Sequence, residues 1–311
     1  MTSIFIFPGQ GSQTVGMGRN LFDNFDAARR VFDEVDDALD QKLSDIIFNG
    51  PMEDLTLTAN VQPAIMCVSI AMLRAWLQNN GYDYQSPISN LQSPYVAGHS
   101  LGEYTALCAA GALTLADTAK LLRLRGDAMQ RAVPVGQGAM AVVLGLDIEK
   151  LTAVCRMAEA DAGGDAVCDI ANDNAPGQIV ISGSKPAIER AMDMAKEAGA
   201  KRAMPLPLSV PPHSRLMAPV AEEMMAALGE IEMNVPTVPI ISNKTCAPMT
   251  DIDEIKSALV HQITHGVRWR ESVLAMPALG ITETIEVGPG NILTGLTTRI
   301  EPSMTARKLE I

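Results

Sequence analysis

Short apolar runs alternate with helical patterns along most of this chain, and that alternation leaves few architectures open. Residues 4–7, 95–97, 238–242 and 284–287 read as strands. Residues 27–39, 62–78, 101–110, 218–228 and 252–263 carry helical spacing of apolar side chains. Strands separated by helices predict an α/β fold with a mainly parallel sheet. Between residues 140 and 208 the rhythm changes. Strands at 140–146, 166–171, 178–182 and 201–208, with helices at 149–160 and 186–198, give the β-α-β-β-α-β order of a ferredoxin-like unit. Val135-Gly136-Gln137-Gly138 precedes this unit and Pro211-Pro212 follows it, both good junction chemistry. The expected organisation is a large α/β domain over 1–137 and 211–311, with a small ferredoxin-like subdomain, 138–210, inserted into it.

Composition narrows the function. The net charge of −12 disfavours nucleic acid, which needs clustered Lys and Arg. Aromatics make up only 4%, so aliphatic residues and 18 methionines must fill the core. The five cysteines are odd in number and form no C-x-x-C pair, which argues against a disulfide framework or zinc site. No signal-like segment opens the chain, and the uncharged run 104–116 is too short to span a bilayer. A cytoplasmic protein with no membrane or nucleic-acid partner is expected.

VAGHSLGEY, residues 96–104, sets Ser100 in a G-x-S-x-G frame between a strand and a helix. That context makes a nucleophile elbow, with the serine at a helix N-terminus where developing negative charge is favoured. Serine needs a base, and the chain has four histidines. His99 adjoins the serine on a sharp turn and should point away from it. His261 and His265 lie four apart at a helix end; they have the spacing of metal ligands, but no third ligand or H-E-x-x-H accompanies them. His213, in SVPPH, remains as the general base. Many acids are available as a third member, and spacing selects none.

The helix 115–132 carries one residue on the wrong face. At about 100° per residue, Leu115, Leu121, Leu122, Ala128, Met129 and Ala132 share a stripe, with Arg125 in its middle. A buried guanidinium must find an anion. An internal carboxylate or a snorkelling side chain would satisfy it; so would the carboxylate of a substrate, which the guanidinium fork suits.

PGQGSQ (8–13), GHSLGEY (98–104), RGDAMQ (125–130), ANDNAPGQIVISG (171–183), LPLSVPPH (206–213) and EVGPGNILTGL (286–296) occur in this order. Together they resemble the malonyl-CoA:acyl carrier protein transacylase family over nearly the whole chain. The resemblance implies a hydrolase-like α/β core with an inserted ferredoxin-like subdomain. It implies transfer of malonyl from malonyl-CoA to acyl carrier protein for fatty acid synthesis, through a malonyl-serine on Ser100, with His213 as base. Arg125 would bind the malonyl carboxylate, and the backbone N–H groups of Gln10 and Leu101 would form the oxyanion hole. The backbone carbonyl of Gln262 would orient the histidine, and Gln62 would line the site. Leu101 fits the malonyl-selective pattern. No cofactor or metal is implied, and a monomer is expected. An acidic carrier protein would need local positive charge near the cleft, for which Lys185, Arg190, Lys196, Lys201, Arg202, Arg215, Arg268 and Arg270 are candidates.

Overall fold

The computed structural model describes residues 2–89, 91–134, 136–208 and 210–311. Of the junction and motif residues read above, Val135 and Ser209 lie outside these. The chain opens with β1 (Ser3–Phe7), then α1 (Arg19–Asn24), α2 (Asp26–Leu39), α3 (Leu43–Asn49), α4 (Met52–Thr56) and α5 (Thr58–Asn79). Next come β2 (Val96–Gly98), α6 (Leu101–Ala109) and α7 (Leu115–Ala132). The middle is β3 (Gly138–Leu144), α8 (Ile148–Ala162), β4 (Cys168–Ala175), β5 (Gln178–Ser184), α9 (Lys185–Glu197) and β6 (Arg202–Pro205). The remainder is α10 (Ala218–Glu230), β7 (Ile240–Ile241), β8 (Pro248–Met249), α11 (Ile252–Thr264), α12 (Trp269–Ala275), β9 (Glu283–Glu286), α13 (Ile292–Ile300) and β10 (Thr305–Lys308).

Six strands form one sheet in the order β10-β9-β1-β2-β7-β8. Every neighbouring pair is parallel except the terminal β7–β8 pair. β1 shows why: SIFIF has no polar face, so both sides need cover. Phe5 and Phe7 enter the core built with α2, α5, α6, α7, α10 and α11, whereas Ile4 and Ile6 enter the opposite core with α12 and α13. Each such side chain contributes about 1.5–3 kcal/mol on burial.

A second sheet, β4-β5-β3-β6, is wholly antiparallel. Its order and the helices α8 and α9 on one face are those of a ferredoxin-like unit. Its core holds Cys155 and Cys168, both free and buried. The loop before α12 runs alongside the edge of this sheet: Val267 N–H donates to Ala171 O at 2.9 Å and Asp173 N–H donates to Val267 O at 3.0 Å.

Several boundaries differ from those expected. β4 continues to Ala175 through Asn172-Asp173-Asn174, whose polarity reads as a turn in sequence. β6 stops at Pro205; Leu206 and Leu208 then turn into the cleft, because Pro205 and Pro207 offer no N–H to a ladder. β10 follows the last helix as an edge strand parallel to β9. The short helices α1, α3, α4 and α12 were not anticipated. A longer uncharged run than 104–116 exists at 55–73. It falls largely on α5, whose 22 residues are apolar enough to cross a membrane by length and composition; 83% of the qualifying window is buried inside the fold.

Candidate active site

Three adjacent parallel strands deliver residues at their C-terminal ends: Gln10 after β1, Ser100 after β2 and Asn243 after β7. That edge is where open α/β sheets bind ligands. Ser100 sits at φ 55°, ψ −112°, a conformation that costs a non-glycine residue about 1–3 kcal/mol and persists only when its surroundings enforce it. They do. Asn243 Oδ1 accepts from Ser100 N at 3.0 Å, Asn243 Nδ2 donates to Gly98 O at 2.7 Å, and Gln262 Nε2 donates to Ser100 O at 3.1 Å. The flanking glycines answer close approach. A Cβ on Gly98 would lie 2.0 Å from Gly102 O, and one on Gly102 would lie 2.3 Å from Phe7 O.

His213 is buried and brought to the serine from a distant part of the chain. Its N–H donates to Ile263 O at 3.1 Å, fixing it to the end of α11. Its Nδ1 lies 2.6 Å from Gln262 O. A carbonyl can only accept, so Nδ1 carries the proton and Nε2 holds the lone pair. Nε2 lies 2.8 Å from Ser100 Oγ, in position to accept the hydroxyl proton. Burial, and then the positive charge of Arg125, push the imidazole down to about 3. It is a neutral base throughout the physiological range.

Arg125 is 2% exposed. Its Nη1 donates to Gln62 Oε1 at 2.6 Å; its Nη2 donates to Gln262 Oε1 at 3.0 Å and to Ser100 Oγ at 3.2 Å. Nε has no hydrogen-bond partner among the described residues. The Tyr104 ring lies 5.8 Å below the guanidinium. Of the three alternatives open from sequence, the two internal ones do not hold: the side chain does not snorkel to the surface, and among the described residues no carboxylate lies within ion-pair distance. The side-chain contacts are neutral oxygens. A full cation is thus held beside the hydroxyl with no counter-ion in contact.

Ser100, Leu101, Gln10, Gln62, Arg125 and His213 all line one cleft. Gln262 lies behind it. As the first residue of α6, Leu101 has no intrahelical acceptor for its N–H. His99 does point away: its Nε2 donates to Asn174 Oδ1 at 2.8 Å, and its ring lies 5.7 Å from Trp269. His261 and His265 stack at 3.7 Å on the end of α11. Among the described residues no group of three His, Cys, Asp or Glu is placed to share a metal ion.

Of the eight basic candidates for docking, six lie against the chain's own carboxylates: Lys185 on Glu189, Arg190 on Asp161, Lys196 on Asp193, Arg215 on Glu159 and Asp169, Arg268 on Glu271, and Arg270 on Asp173. Lys201 and Arg202 have no such pair among the described residues. Sequence reasoning missed Asn243 and Glu103 entirely. Both are buried at the elbow; no local pattern marks Asn243, and Glu103 lies within the serine motif without a role of its own being legible there.

The acyl transferase domain family matches residues 4–300. The malonyl CoA-acyl carrier protein transacylase of Bacillus subtilis (strain 168) is 45% identical over 296 residues, 95% of this chain and 89% of that protein. The solved acyl-carrier-protein S-malonyltransferase of Bartonella henselae is 50% identical, with a TM-score of 0.93 over 100% of this chain and 96% of that one. A malonyl-transacylase solved in complex with its type II polyketide-synthase acyl carrier protein is 39% identical, with a TM-score of 0.92 over 99% of this chain and 96% of that one.

Proposed function

The chain belongs to the acyl transferase domain family, and on that premise we propose how it moves malonyl from malonyl-CoA to acyl carrier protein. Ser100 Oγ attacks the thioester carbonyl while its proton passes to His213 Nε2. The new oxyanion is met by the N–H groups of Leu101 and Gln10; one such donor is typically worth about 10²–10³ in rate. The C–S bond then breaks, and the proton on Nε2 goes to the sulfur of CoA. In the second half the carrier protein's phosphopantetheine thiol gives its proton to His213 and attacks the malonyl-serine ester. The C–O bond breaks, and Ser100 recovers its proton.

The observation that carries this reading is the unneutralised guanidinium of Arg125, with Nη2 3.2 Å from Ser100 Oγ. Hydrolysis of a neutral ester needs no such group; an acyl chain ending in a carboxylate does. Gln62 holds the guanidinium from one side and Gln262 from the other, and the Gln262 carbonyl orients His213. We place the reaction in fatty acid synthesis. The enzyme works as a monomer without a metal or cofactor, and the acidic carrier protein docks through local positive charge in which Lys201 and Arg202 take part. The test is direct. The protein is incubated with malonyl-CoA and Ser100 is examined by mass spectrometry for a malonyl ester; acyl carrier protein or buffer alone is then added. Malonyl on Ser100, cleared rapidly by carrier protein and slowly by water, is expected. No adduct, or equal clearance by water, refutes the reading.

A further inference from the structure

Arg125 can anchor a substrate only if something holds it in place without neutralising it, and Glu103 is the residue placed to do so. Glu103 is buried in the first turn of α6, three residues after Ser100. Its Oε1 accepts from Asn243 N at 2.7 Å, and its Oε2 accepts from the side-chain amide of Gln262. The same Gln262 amide donates to Ser100 O at 3.1 Å, so both of its hydrogens are engaged. Its oxygen is thereby turned toward Arg125 and accepts from Nη2 at 3.0 Å. An amide has a donor end and an acceptor end, and which end faces Arg125 is set by what faces the other end. Burial pushes the Glu103 carboxyl up to about 7 against the hydrogen bonds from Asn243 and Gln262 and the charge of Arg125; in its ionised form it can only accept, and that admits only one answer.

We propose that Glu103 is a positioning residue for acyl-group selection: by fixing the orientation of the Gln262 amide it aims Arg125 at the acyl pocket while leaving the cation's charge available to a substrate carboxylate. The inference rests on the malonyl-transfer reading above. A direct Glu103–Arg125 ion pair would orient the guanidinium equally well but would cancel its charge. With one amide interposed, the carboxylate still lowers the energy of a buried cation, and the cation still lacks a counter-ion in contact.

The test variant is Glu103→Gln. If the new amide keeps its oxygen on Asn243 N–H, its nitrogen confronts the nitrogen of Gln262. The clash is relieved by rotating the Gln262 amide, which then points a donor at Arg125. Loss of one charge-assisted hydrogen bond corresponds to about tenfold or more. Kinetics of Ser100 acylation are measured separately with malonyl-CoA and acetyl-CoA. The expected result is a fall of about tenfold or more in the malonyl-to-acetyl ratio of kcat/KM, carried mainly by KM for malonyl-CoA, with the acetyl rate changed less than about threefold. Equal losses for both donors would mean that Glu103 only supports the elbow, and would overturn the proposal. A second variant, Gln262→Met, keeps the backbone carbonyl on His213 and leaves the hydrogen bonds of Asn243 to Ser100 N and Gly98 O in place, removing from Asn243 only a long 3.4 Å contact to its Oδ1. It should show the same loss of discrimination; if it keeps the wild-type ratio, the proposal falls even should Glu103→Gln fail to fold. Wild-type protein that acquires no malonyl on Ser100 would instead sink the malonyl-transfer reading itself.

Discussion

Replacing Arg125 with Ala removes a buried cation whose partners are Gln62 Oε1, Gln262 Oε1 and Ser100 Oγ. In the substrate complex its fork would meet the malonyl carboxylate with two charge-assisted hydrogen bonds, each worth about 1.5–3 kcal/mol. The lower figure, taken twice, gives about 3 kcal/mol, or about 10² in kcat/KM at 1.4 kcal/mol per decade. An acetyl group makes neither bond and so loses nothing on that account. The variant also no longer carries an unpaired charge in the core, which offsets the two glutamine oxygens left without a donor. Malonyl kcat/KM should therefore fall about 10²-fold while acetyl kcat/KM holds or rises. Rapid-quench acylation followed by intact mass, with each CoA ester in turn, reads both numbers; thermal melting checks that the variant is folded. Arg125→Lys should be intermediate, since it keeps the charge but not the fork. A folded Ala variant whose malonyl-to-acetyl ratio stays within about threefold of wild type would refute the reasoning.

Other consequences follow from the same geometry. His213, ordinarily titrating near 6.5, is depressed to about 3 in the fold. Below pH 6.5 the unfolded chain binds a proton that the folded one refuses, so this residue costs stability progressively as pH falls from about 6.5 to about 3 and nothing above that window. Denaturant unfolding of His213→Gln against wild type across this range should show the variant's acid loss flattened; parallel curves would contradict it. Because Arg125 is the second cause of the depression, Arg125→Ala should move the acid limb of acetyl kcat/KM to higher pH. Asn243→Ala leaves the Ser100 N–H without its acceptor and should slow malonyl and acetyl acylation alike, by the about 1–3 kcal/mol of an orphaned buried donor, or about 10–10²-fold. Gly102→Ala puts a Cβ 2.3 Å from Phe7 O, so soluble yield and melting temperature should drop sharply, with activity lost. The carrier-protein half-reaction of Lys201→Glu with Arg202→Glu should weaken and lose its salt dependence, whereas acylation by malonyl-CoA should not change.

Much of this arrangement was legible before any coordinates, and what was missed shares one cause. Ser100 could be read because a strand, two glycines and a helix all lie within a few residues of it. Arg125 could be read because helical periodicity is itself local, and a cation on an apolar stripe violates it. His213 emerged because histidines are scarce. Asn243 is 143 residues from the Ser100 N–H it accepts from, in a chain rich in other polar residues, and no periodicity distinguishes it. Glu103 sat inside the serine motif itself, yet its partners Asn243 and Gln262 are distant in sequence. The Asn172–Asn174 stretch misled for a related reason. Polar residues inside a strand normally mark its end, but here Asn172 and Asn174 line the cleft, and Asp173 on the other side pairs with Arg270 at 2.7 Å. β10, TARK, is an edge strand whose charged side chains face water, and such strands carry no apolar alternation to detect.

A site built this way should also favour a thiol over water. His213 leans on a neutral carbonyl at 2.6 Å rather than on a carboxylate, and a cation stands nearby. Burial and the nearby cation make the imidazolium expensive and the imidazole a weak base, and the neutral carbonyl offsets this only in part. A carboxylate in the third position would strengthen the base, but it would also bring a negative charge toward the pocket meant for a malonyl anion and offer Arg125 a counter-ion. The weak base is a smaller handicap for thiols than for water: an ordinary thiol gives up its proton near pH 8.5, against about 15.7 for bulk water. The proton transfer that starts deacylation is therefore less uphill, by about seven pH units, for an incoming phosphopantetheine than for a stray water. The carbonyl partner, the uncompensated guanidinium and the preference for a sulfur acceptor are on this account one design constraint rather than three.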